Sequence, residues 1–271
     1  MYLYFNFFIS FIKTILKFKN ILLCVKIISD NNKGNNLNNG FYKDLDTNFE
    51  MAYELSQKKY SHSELVLMLQ EGNIPQKQIA ALEFDSVNTV DDAKVLLNNL
   101  TGCDGKIREA VALSINRLLQ GNSDVCKIFA EISADTFADA TIDINANICR
   151  LVVDSAILMK NYNIFSYNYA EKILRFTNEA LGEIDKFIFR DKKYVINKQV
   201  FKLYWCLEAL KYFWEFLDEN DILDVLKKSA IQKEYTIREK TAQIAVISDK
   251  FSQILKLLES DENYYVRKVL N

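Results

Sequence analysis

The stretch "DGKIREAVALSINRLL" at 104–119 decides the fold, because "EYTIREKTAQIAVI" at 234–247 repeats its order. Each copy opens on a polar residue, passes two spacers, and reads Ile-Arg-Glu into an apolar helical run. In the first copy, Asp104 stands where a short side chain accepts hydrogen bonds from the free donors of a helix start. Ile107, Ala110, Val111, Ser114 and Leu118 follow on one face, and Leu113 and Ile115 widen it. So broad a face is buried on several sides, and a single helix hairpin cannot bury it alone. Neighbouring hairpins must complete one another's interior.

Three more segments fit the pattern of a polar residue followed three positions later by a β-branched one: Asn145 with Ile148, Asn197 with Val200, and Asn263 with Val266. The leading residues recur at roughly 40, 50, 35 and 30 residues; two intervals lie close to the range of helix-pair repeats, one is lengthened by an insertion and the last is short. The position after the β-branched residue is Arg108, Arg238 and Arg267 in three copies, Cys149 and Phe201 in the others. Helical periodicity further predicts helices over 90–100, 124–132, 145–160, 169–184, 198–217, 221–230, 236–247 and 251–258. The segment "KFIFRDKKYVI" at 186–196 is ambiguous.

Composition agrees. The 271 residues are 49% hydrophobic, enough for a large core, and contain only seven Gly and one Pro. Sheet-rich folds need turn residues more often, so the scarcity favours helices joined by short loops. A formal net charge of -2 lacks the basic surplus of a dedicated nucleic-acid binder. The five cysteines show no C-x-x-C pair, and buried thiols in a reducing compartment are expected. His62 is the chain's one histidine, which disfavours triad and histidine-metal chemistry. It is expected to be exposed beside a Ser61 or Ser63 N-cap.

The chain divides into three parts. Residues 1–29 are apolar and interrupted by lysines: an anchor on a membrane surface, a helix packed on the domain, or a start codon placed too early. The uninterrupted apolar run at 1–12 is too short for a spanning helix, which needs ~20 residues. Residues 30–50 form an Asn-rich linker with little to bury. Residues 51–271 form the helical domain. A cytoplasmic location follows, with membrane association through 1–29 as the alternative.

With "NANICRLVVDSAIL" at 145–158 and "NYYVRKVL" at 263–270, these segments resemble HEAT-repeat proteins and, more loosely, armadillo-like ones. The resemblance covers roughly residues 74–271. It implies an all-α fold, a right-handed α-α superhelix of about five stacked helix hairpins. In such a fold Asp104 with Arg108, Arg238 and Arg267 help to join adjacent repeats, and Cys149 and Phe201 interrupt the series. The family default is a non-enzymatic scaffold that binds another protein along its concave face or an open end.

Candidate contacts to a partner protein are Arg108, Arg238 and the basic segment with Arg190, Lys192, Lys193 and Tyr194; packing is the competing role for Arg108 and Arg238. The alternative function is a nucleic-acid-binding solenoid, DNA-glycosylase-like or RNA-binding, using the basic and aromatic segment 186–202. The helix at 201–216 reads as a core element, with a groove lined by Trp205 or Trp214 as the other reading. No catalytic, metal or cofactor-binding set is read. Val266, Val269 and Leu270 are expected to leave an apolar C-terminal edge suited to self-association.

Overall fold

A computed structural model describes residues 50–188 and 193–270. All regular structure among them is helical. A short helix, α1, covers 50–56. Six helix pairs follow, one more than expected: α2 (His62–Glu71) with α3 (Ile74–Glu83), α4 (Val90–Leu100) with α5 (Gly105–Leu119), and α6 (Ser123–Ile132) plus α7 (Ala134–Thr141) with α8 (Ala146–Leu158). Then come α9 (Asn163–Ile188) with α10 (Lys193–Phe213), α11 (Glu219–Ala230) with α12 (Tyr235–Ala245), and α13 (Ser252–Leu258) with α14 (Tyr264–Leu270).

The second helices of the pairs form one layer in the order α3, α5, α8, α10, α12, α14, and the first helices form the other. The chain is thus an all-α superhelix of stacked hairpins. Second helices mostly crowd closer to each other than first helices do, so the stack curves with the second helices inside. One apolar core runs through it, from Leu65 and Leu69 to Leu258 and Val266. Ile107, Ile148, Ile237 and Val266 occupy equivalent buried rungs, while Val200 is only partly buried.

Local chemistry explains most helix starts. Ser61 and Glu64 form a reciprocal capping box on α2, Asn73 and Gln76 another on α3, and Thr89 and Asp92 a third on α4. Asp104 accepts from the amides of Lys106 and Ile107, and Asn145 and Asn263 cap α8 and α14 likewise. Two assignments change. Glu234 stands at the N-cap of α12 but makes no side-chain cap bond. Asn197 lies inside α10, which starts about a turn earlier and ends at Phe213 before a 3-10 turn at Trp214–Phe216. Apolar residues on both sides of "KFIFRDKKYVI" carry the helical faces onward, lengthening α9 and α10 together. α7 went unrecognised because Ser133 closes α6 and opens α7 with no intervening loop.

Candidate functional site

The arginines of the repeat lie at one edge of the stack, where the second helices begin. Arg108 Nε donates to Asp143 Oδ2 at 2.6 Å and Nη2 to Asp143 Oδ1 at 3.3 Å. Its Nη1 donates to the carbonyls of Gly102 and Cys103. Arg238 repeats every bond: Nε to Asp261 Oδ2 at 2.6 Å, Nη2 to Asp261 Oδ1 at 3.1 Å, and Nη1 to the carbonyls of Gln232 and Lys233. In both rungs the aspartate belongs to the next pair and stands two residues before the following N-cap, whose amide it accepts at 2.8 Å. Each guanidinium therefore ties its own turn to the next repeat through a forked, charge-assisted contact.

The Arg108 and Arg238 side chains are only 11% and 9% exposed, which fits the packing role at the repeat seam. Arg238 holds the Asp261 carboxyl below its ordinary range, with burial opposing. Cys149 occupies the arginine position of α8, and its thiol donates to the Asp143 carbonyl at 3.0 Å. Arg267 grips the Asp261 carbonyl in the same way. The side chain six residues after the carbonyl closes the turn in all four rungs, but a thiol is too short to reach the next repeat.

Arg190 and Lys192 fall outside the described residues. Lys193 and Tyr194 begin α10, both exposed, with Tyr194 at 82%. α10 thus begins about 7 Å before the start expected at 198. The C-terminal edge differs from expectation. Val266 is fully buried against the preceding pair, and Val269 and Leu270 are half-buried. Exposure falls instead on Tyr264 and Tyr265, because the first turn of α14 faces outward, and on Leu257 of α13. Tyr265 stacks on Tyr235 at 6.1 Å.

The sequence reading missed a polar row across the inner layer. Arg150 Nη1 lies 3.8 Å from Asp154 Oδ2 on α8; Glu208 on α10 pairs with Lys240 on α12, which also reaches Gln243 Oε1 at 3.2 Å. Lys240 Nζ sits 4.8 Å from the centroid of the Tyr204 ring. Burial pushes the Asp154 carboxyl up, Arg150 opposes, and Glu208 adds to the rise. Burial works against the Lys240 ammonium, yet Glu208 outweighs it and the pKa is raised. Trp205 and Tyr212 flank the row, half-buried. Within one helix the sequence offers only the Arg150 and Asp154 pair, four residues apart, as a signal.

His62 is also not the exposed residue expected. Its Nε2 lies 3.0 Å from Asp92 Oδ1, tying α2 to α4, and its ring tilts on Phe84 at 5.1 Å. Burial alone would raise the Asp92 carboxyl; bonds from His62, Asn88 and Thr89 hold it below its ordinary range. Among the described residues no group of three or more His, Cys, Asp or Glu could hold a metal ion. Within the same residues no helix is long and apolar enough to cross a membrane.

No family model and no curated protein matches the chain. Among solved structures it is similar to two engineered proteins of the Northeast Structural Genomics Consortium. One is 13% identical, with 78% of this chain and 94% of that one covered and a TM-score of 0.41. The other is 14% identical, with 78% and 96% covered and a TM-score of 0.43.

Proposed function

We propose that this chain is a non-enzymatic, HEAT-like cytoplasmic scaffold that binds another protein along the inner face of its stack. The observation that supports the reading is the row Arg150, Asp154, Glu208 and Lys240, flanked by Trp205 and Tyr212, across three successive second helices. Half-buried aromatic rings beside fixed charges of both signs suit protein recognition, where aromatic and arginine anchors carry most binding energy. Stacked second helices also give an elongated partner continuous contact. The test is affinity capture with the full chain, its Trp205→Ala/Arg150→Glu variant, and an outer-face control, Tyr167→Ala. A partner held by the wild type and the control, and lost from the inner-face variant, supports the reading. Equal capture by all three refutes it.

Two subordinate readings rest on particular residues. Lys193 and Tyr194, exposed at the start of α10, suit an anionic strand with a ring for base stacking. Titration with single- and double-stranded DNA and RNA at two salt concentrations separates this reading from protein binding, since phosphate contacts weaken steeply with salt. Tyr264, Tyr265 and Leu257 suit end-to-end self-association. Light scattering across a concentration series tests that, with a constant monomer mass as the opposing result.

A further inference from the structure

We infer that the seam between α8 and α10 is a joint, about which the N-terminal pairs α2–α8 and the C-terminal pairs α9–α14 swing to widen or narrow the inner groove. The inference stands whether or not that groove takes a protein.

The inner side of this seam lacks the ties found at its neighbours. Arg108 to Asp143 and a bond from Asn116 Nδ2 to Ser155 Oγ at 3.0 Å join α5 to α8 or its approach. Glu208 to Lys240 joins α10 to α12, and Arg238 to Asp261 joins α12 to the turn before α14. Between α8 and α10, among the described residues, no side-chain hydrogen bond or ion pair is formed along either helix. Cys149 stands in the arginine position and turns back on its own repeat. Asp154 and Glu208 come within electrostatic reach of each other there, each partly offset by its own cation, Arg150 and Lys240, and the remaining like-charge repulsion disfavours closure. This is also the one place where second helices are less closely packed than the first helices beside them. A pair from Lys160 to Glu215 at 3.1 Å crosses beyond the helix ends, on exposed side chains whose net contribution is small.

The outer side is pinned. Lys172 of α9, 14% exposed, reaches Asp135 at 3.1 Å and Asp139 at 2.9 Å on α7. Tyr169 and Thr141 share a fully buried 2.7 Å hydrogen bond between the same helices, and Phe137 meets Phe165 edge to face. A seam bonded on its convex side and unbonded on its concave side turns about the bonded line. Hinges of this kind move packed bodies against each other without unfolding either.

Double electron–electron resonance on the full chain with Cys24→Ser tests the joint. Spin labels on native Cys103 and on Lys198→Cys span the seam. Cys103 with Glu131→Cys lies in the first half, and Lys198→Cys with Lys268→Cys, in a Cys103→Ser background, lies in the second. The expected result is a broad distance distribution across the seam and narrow ones within each half. Asp154→Lys, which places opposite charges across the seam, is expected to narrow the broad distribution by roughly half. A cross-seam distribution no broader than the other two overturns the joint. A width unchanged by Asp154→Lys overturns the role given to the two carboxylates.

Discussion

Arg238 and Asp261 meet at 2.6 Å, and Arg108 and Asp143 meet at the same 2.6 Å, although 23 residues separate the first pair and 35 the second. Loop length therefore does not set the contact. The stacking of one second helix on the next does, and whatever chain lies between is accommodated in the first-helix layer.

Removing one side of such a pair leaves the other charged, largely buried and unmatched, a loss of about 3–5 kcal/mol in comparable sites. Arg238→Ala is expected to lower the denaturant midpoint accordingly. Arg238→Lys is expected to recover only part of the loss, because an ammonium cannot reproduce the fork. Chemical unfolding followed by circular dichroism measures both.

Asp261 has a folded pKa below its unfolded value of ~3.9, so its contribution is fully present above that value. It is lost as pH falls through the depressed folded pKa. Wild-type stability should therefore decline below about pH 4. Asp261→Asn should be less stable at neutral pH, with a shallower decline over the acid range. Unfolding midpoints at a series of pH values between neutrality and strong acid provide the check.

Thr141 and Tyr169 should respond unequally to loss of their shared bond. The threonine hydroxyl donates to the Phe137 carbonyl at 2.8 Å, leaving the tyrosine as donor between the pair. Tyr169→Phe removes that donor and is expected to cost about 1 kcal/mol. Thr141→Val strands a buried phenol and is expected to cost more, about 1–3 kcal/mol. Thermal melts of both variants give the order.

Burial pushes the thiols of Cys149 and Cys206 up to about 12, whereas Cys103 is exposed. Thiolates react and thiols do not. In a Cys24→Ser background, a thiol reagent at pH 8 should modify Cys103 quickly and Cys149 and Cys206 only after denaturant is added. Mass spectrometry of timed digests identifies the sites.

The repeat was legible wherever it is written in short-range order: Asp104, Asn145 and Asn263 at helix starts, with Ile107, Ile148, Ile237 and Val266 beneath them. Asn197 misled because a polar residue before a β-branched one also occurs within a helix, and only the pairing of α9 with α10 shows that the helix is already running. Arg108 and Arg238 were recognised as recurrent, but Asp143 and Asp261 were not recognised as their partners. The distance from arginine to aspartate differs between the two rungs, and the spacing that does recur, an aspartate two residues before the next N-cap asparagine, gains its meaning only once the pairs are stacked. The row from Arg150 to Lys240 was hidden for the same reason, since three helices each contribute only one or two of its members. His62 was misplaced because Asp92, thirty residues on, becomes its neighbour only when α4 stacks on α2.

Among the described residues, the main contacts of each helix pair are with the pair before it and the pair after it. Synthesis from the N-terminus can therefore add one finished layer at a time, each new hairpin docking on a surface already in place. Such chains fold quickly for their length, since no contact must wait for a distant segment to appear. The demanding moment comes at α9 and α10. About fifty residues must leave the ribosome before their long faces find each other, and until then the aromatic flank of Phe137 and Phe165 stays open to water.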